Sequence, residues 1–102
     1  MSPWHFFTGE LMEISELYDI IFDRKTNPKP GSYTNSLFDT GLPRIAQKVG
    51  EEGTEVVVAA LSQENERLIE EIADLTYHVL VLMAAKDITL GDVVRELEKR
   101  HK

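Results

Sequence analysis

Val56-Val57-Val58-Ala59-Ala60-Leu61 admits two conformations, and the choice between them separates an all-α protein from one with a sheet. Its β-branched residues favour a strand, where branching at Cβ packs well on a pleated surface. Two features decide for helix. No turn signal separates the run from the glutamate-rich stretch before it, and no other segment offers a partner strand. The helix then runs from about Leu42 to Leu61, with Pro43 in the first turn, where a missing N–H costs nothing. Gly50 and Gly53 lie inside it, each about 1 kcal/mol less favourable there than alanine. Either a neighbour packs close to them or the helix is locally imperfect.

The segments on either side extend the same pattern. A helix is expected from about Glu64 to Lys86, with Ser62 as its N-cap. Leu68, Ile72, Leu75, Val79 and Leu82 form its apolar seam, broadened by Ile69, Leu80 and Met83. Upstream, Leu11, Ile14, Leu17, Tyr18 and Ile21 repeat at helical spacing over Glu10 to Arg24. That helix ends at Asn27-Pro28-Lys29-Pro30-Gly31, since proline biases the residue before it away from the helical region. Downstream, Thr89-x-x-Asp92 has the form of a capping box for a helix from Leu90 to about Arg100, whose basic end suits the dipole. Ser32 to Thr40 is open between a short helix and an ordered loop. The expected fold is all-α, a bundle of about four helices in one domain spanning residues 1–102. Residues 1–9, with Trp4, Phe6 and Phe7, read as an N-terminal tail ahead of an apolar clip on a partner subunit. From Leu75 to Ala85 the third long helix is apolar nearly all round, more than three short companions are expected to cover. A homodimer with this helix near its interface is the expectation.

Composition narrows the function. The 102 residues carry 11 Lys plus Arg against 18 Asp plus Glu, a net charge of −7, which argues against a general nucleic-acid binder. A hydrophobic fraction of 42% is too high for a disordered chain. The absence of cysteine excludes disulfides, thiolate metal sites and cysteine nucleophiles, and is compatible with a reducing cytoplasm. No signal-peptide pattern and no apolar run of membrane-spanning length is present, so a cytoplasmic protein without membrane partners is expected.

The acidic residues are clustered. Eight of the 18 lie in residues 51–74, where Arg67 is the one basic residue. At 100° per residue, Lys48, Glu51, Glu52 and Glu55 share an arc of about 100°. On the next helix Glu71, Asp74 and His78 share a narrow stripe amid apolar residues. On antiparallel helices, the pairs Glu52-x-x-Glu55 and Glu71-x-x-Asp74 can converge on one ion. Four oxygen donors then favour a hard cation, Mg²⁺ or Mn²⁺, and hence phosphate chemistry. Spacing leaves a solvated acidic face open as the other reading. It likewise leaves His78 open as a hydrogen-bonded core residue, and Lys48 as a salt-bridge partner of Glu52 or Glu51 or a phosphate contact.

Ser32-Tyr33-Thr34, Leu37-Phe38, Lys48-Val49-Gly50-Glu51-Glu52-x-x-Glu55 and Glu71-x-x-Asp74-Leu75-x-Tyr77-His78 together resemble the phosphoribosyl-ATP pyrophosphatase family. That family belongs to the MazG-type all-α nucleotide pyrophosphohydrolases, and the resemblance covers roughly residues 14–101. Gly53 stands where the family more often has alanine, and the aromatic N-terminal residues lie outside its pattern. The resemblance implies a MazG-like bundle completed by homodimerisation. It implies Mg²⁺-dependent hydrolysis of 1-(5-phosphoribosyl)-ATP to 1-(5-phosphoribosyl)-AMP and pyrophosphate, the second step of histidine biosynthesis. The family often fuses this activity to the next enzyme, and the 102-residue length here leads us to expect a stand-alone one. Family metal ligands fall on Glu52, Glu55, Glu71 and Asp74, with Glu51 a candidate for orienting water or for a second ion. Lys48 and Arg44 become candidates for phosphate oxygens. Ser32, Tyr33 and Thr34 become candidates for the ribose phosphate or the base, with His78 beside them. Two alternatives use the same residues differently. A MazG-type house-cleaning enzyme would hydrolyse noncanonical nucleoside triphosphates, and a non-enzymatic acidic helical module would show no Mg²⁺-dependent thermal shift.

Overall fold

The computed structural model describes residues 12–101. The N-terminal tail expected at residues 1–9 lies outside them. Among the described residues there are five helices and no strand: α1 (Ile14–Thr26), α2 (Tyr33–Thr40), α3 (Leu42–Ser62), α4 (Asn65–Ala85) and α5 (Leu90–Arg100). Val56 to Leu61 is helical, as its continuity with the glutamates before it requires. The open segment forms α2, whose N-cap Ser32 accepts the Asn35 N–H at 3.2 Å.

Three local expectations are corrected. Met12 and Glu13 are not helical, so α1 starts at Ile14 rather than Glu10; Glu13 and Glu16 close a reciprocal capping box there. Ser62 ends α3 instead of capping α4, its hydroxyl donating back to the Val58 carbonyl at 2.7 Å, and Glu64 is the N-cap residue of α4. Among the described residues nothing lies within 4 Å of a Cβ added at Gly50 or Gly53, and α3 runs unbroken through both. Neither close packing nor a helix break accounts for them. The capping box at Thr89 and Asp92 forms as expected, and those hydrogen bonds hold the Asp92 carboxyl below its usual range.

α3 and α4, joined by Gln63-Glu64 alone, turn back on each other and make the main helix pair; α1 packs on α4, and α2 wedges between α1 and α3. The core joins Leu17, Tyr18 and Ile21 of α1 to Leu37, Ile45 and the second half of α4. Burying each fully enclosed side chain, such as Ile21 or Val81, contributes roughly 1.5–3 kcal/mol. Three long-range contacts tie the end of α4 and the turn after it to α1. Lys25 Nζ donates to the Ala84 carbonyl at 2.9 Å and pairs with Asp87 at 2.6 Å, and the Tyr18 hydroxyl donates to the Ile88 carbonyl at 2.6 Å. Asp87 takes the left-handed conformation (φ 57°), which its short polar side chain tolerates.

The apolar second half of α4 is covered in large part by the chain itself, with Leu75, Val79, Leu82 and Ala85 left half-buried. Tyr77, Leu80, Val81, Met83 and Ala84 are buried within this one chain, because α1 covers the face that the α3 hairpin leaves. The uncovered apolar surface lies elsewhere. Val57, Val58 and Leu61 of α3, Ile69 and Ile72 of α4, and Val93, Val94 and Leu97 of α5 are exposed. α5 buries none of its residues.

Candidate active site

The hairpin sets the site. On α3 the face turned to α4 carries Glu52 and, two turns on, the fully buried Ala59, whose small side chain permits close approach. Glu71 and Asp74 answer from α4. One carboxylate oxygen from each of Glu52, Glu71 and Asp74 lies within 4.8 Å of the others. Glu55 is exposed and outside this trio, although close enough that its charge acts on Glu71. Three of the four expected ligands are therefore brought together, and the fourth stands one turn along the same helix.

Glu71 is the buried member, with 4% of its side chain exposed. Burial pushes its carboxyl above the usual carboxylate range; Arg67 opposes that shift, and Asp74, Glu52 and Glu55 reinforce it. Two of the chain's own cations answer the clustered charge. Lys48 Nζ lies 3.2 Å from Glu52 and 3.9 Å from Glu51, and Arg67 Nη2 lies 2.9 Å from Glu71. Glu51 itself is exposed beside Lys48, held by Gln47 at 3.0 Å and Arg44 at 3.7 Å. The donor set is oxygen only, which is the set that Mg²⁺ and Mn²⁺ accept, and like charges so close gain from a divalent ion between them. The residues fit such an ion.

A buried polar chain links this trio to α2. His78 Nδ1 meets the Asp74 carbonyl at 2.7 Å; because a carbonyl only accepts, Nδ1 carries the proton. His78 Nε2 meets the Tyr33 hydroxyl, 3.2 Å away. The hydroxyls of Thr34 and Tyr77 pair with each other, and burial pushes the Tyr77 hydroxyl up to about 12. Thr34 and His78 are buried with interior partners, and Ser32, Tyr33 and Thr34 all line a cavity of about 220 Å³ with Arg24 and Lys29. Sequence reasoning missed Arg24, Lys29 and Arg67. Arg67 was the lone cation of residues 51–74, a signal in itself; Arg24 had none, since it lies in the last turn of α1, across the Asn27–Gly31 turn from Ser32.

An all-α hairpin presenting convergent carboxylates, with cations beside them and a cationic cavity nearby, has the organisation of a nucleotide pyrophosphohydrolase. Residues 14–101 match the model of the family described as phosphoribosyl-ATP pyrophosphohydrolase. The chain is 61% identical over 87 residues to the phosphoribosyl-ATP pyrophosphatase of Listeria innocua, covering 85% of this chain and 84% of that one. It is 55% identical over 87 residues to that of Clostridium botulinum, with 85% and 79% covered. A further relative, 48% identical over 89 residues, is the histidine biosynthesis bifunctional protein HisIE of Caldanaerobacter subterraneus, where the match spans 87% of this chain and 43% of that one. The chain belongs to the phosphoribosyl-ATP pyrophosphohydrolase family, and is a hydrolase of histidine biosynthesis.

Proposed function

We propose that the chain hydrolyses 1-(5-phosphoribosyl)-ATP to 1-(5-phosphoribosyl)-AMP and diphosphate, with Mg²⁺, or Mn²⁺ in its place, held by Glu52, Glu71 and Asp74 and joined by Glu55. The observation that carries this reading is the approach of three carboxylates from two helices to within 4.8 Å. The bound ion supplies charge neutralisation at the phosphates and lowers the pKa of a bound water. The chain's own residues do the rest. Lys48, already aimed at Glu52, contacts a phosphate oxygen, and Arg44 stands one turn before it on α3 as a second cation. Glu51, beside that pair, orients the attacking water. Ser32 and Tyr33 take the ribose phosphate or the base at the α2 cavity. Thr34 and His78 act there by holding α2 against α4 through Tyr77 and Asp74.

The enzyme works as a single catalytic domain and a homodimer in the cytoplasm. No helix among the described residues is long and apolar enough to cross a membrane. The second copy covers the exposed apolar residues of α3, α4 and α5 rather than the second half of α4.

Incubation with phosphoribosyl-ATP and Mg²⁺ tests the reaction: phosphoribosyl-AMP and diphosphate in equal amounts are expected, and EDTA stops their release. Faster cleavage of ordinary or noncanonical nucleoside triphosphates would overturn the assigned substrate. Lys48→Ala should raise KM about tenfold, the worth of one charge-assisted hydrogen bond, with little change in melting temperature. Full activity with early melting would make Lys48 a structural ion-pair partner only.

A further inference from the structure

The two helices of the hairpin repeat one device. A cation stands four residues before the inward carboxylate on each: Lys48 before Glu52, and Arg67 before Glu71. Because the helices run in opposite directions, the two cations flank the carboxylate trio from opposite ends. They differ in freedom. The Lys48 side chain is 19% exposed, whereas Arg67 is 53% exposed and spans two carboxylates, Glu71 at 2.9 Å and Glu70 at 3.2 Å.

We propose that Arg67 exchanges partners during the reaction: a divalent cation takes Glu71 from it, and the released guanidinium binds the diphosphate half of the substrate. The proposal rests on Glu71 being a metal ligand. Three observations carry it. Glu71 is buried and crowded by Asp74 and Glu52, so its charge demands a counter-ion, which Arg67 supplies and which a divalent ion among the trio supplies better. Arg67 itself stands at the surface, where an ion pair is weak and its loss is easily offset. Glu70, the outer partner, keeps the guanidinium at the mouth of the site when Glu71 is lost to it. An anion beside Glu71 then lies within reach by side-chain rotation alone, and the planar fork of arginine suits two phosphate oxygens.

Two binding measurements test the exchange on the full chain: Mn²⁺ alone, and diphosphate added to the Mn²⁺-loaded protein. Arg67→Ala should bind Mn²⁺ severalfold more tightly, its internal competitor being gone. The same variant should bind diphosphate about tenfold more weakly, having lost a charge-assisted contact. Arg67→Lys, which keeps the charge and disturbs the fold least, should recover most of the diphosphate affinity while still competing with Mn²⁺. Unchanged diphosphate affinity in Arg67→Ala, or unchanged or weaker Mn²⁺ binding, overturns the exchange and leaves a plain surface ion pair. A parent protein that binds no Mn²⁺ overturns the metal assignment, and the exchange falls with it.

Discussion

Glu71→Gln is expected to lower diphosphate release by about 10²–10³-fold, since a ligand of a catalytic ion accounts for several kcal/mol of transition-state stabilisation. The amide keeps the size and shape of the carboxylate and removes the charge that a hard cation binds. Stability in EDTA should move the other way. Burial and the neighbouring Asp74, Glu52 and Glu55 disfavour the charged form of Glu71 by more than Arg67 favours it, so its carboxyl is raised. A neutral isostere therefore relieves the folded state, and the melting temperature without metal should rise. The gain from added Mg²⁺ should largely vanish. Thermal melts with EDTA and with Mg²⁺, run beside a diphosphate assay, read all three effects. Lower stability with activity retained would make Glu71 a structural partner of Arg67 and remove it from the metal site.

The second large effect concerns assembly. A dimer at micromolar concentration is expected by light scattering, and Leu61→Glu or Ile69→Glu should weaken it about a hundredfold or more. Leu61 and Ile69 are 82% and 66% exposed in the single chain. They stand on either side of the short α3–α4 connection, where no element among the described residues covers them. A charge introduced there meets water in the monomer and an apolar surface in the dimer, so the cost falls on association alone. Helicity of the variants should be unchanged. A parent protein of monomeric mass would overturn the assembly, and a dimer indifferent to both substitutions would place its interface elsewhere.

Much of the helical architecture was legible locally. The stripe Leu17, Tyr18 and Ile21 buries as its spacing implies, although Ile14 at its start remains exposed. The Thr89 capping box forms from four consecutive residues and needs no tertiary context. The carboxylate pairs were equally visible, since a three-residue spacing on a helix places two side chains on one side. Arg24 was not, because it joins Lys29 and Ser32 at one cavity only after α1 and α2 fold together.

The sequence by itself determined an all-α chain, the rough extent of its two longest helices and the candidate carboxylates, because helical periodicity and capping act within a few residues. Tertiary structure decided which carboxylates meet. The roll of α3 on α4 turns Glu52 inward and leaves Glu55 exposed, outside the trio. It also decided which apolar face is spare. α1 covers much of the second half of α4, so most of the exposed apolar residues fall on α3, the first half of α4 and α5. Both outcomes depend on which faces pack, a competition among whole helices for one core, and residue spacing carries no record of its result.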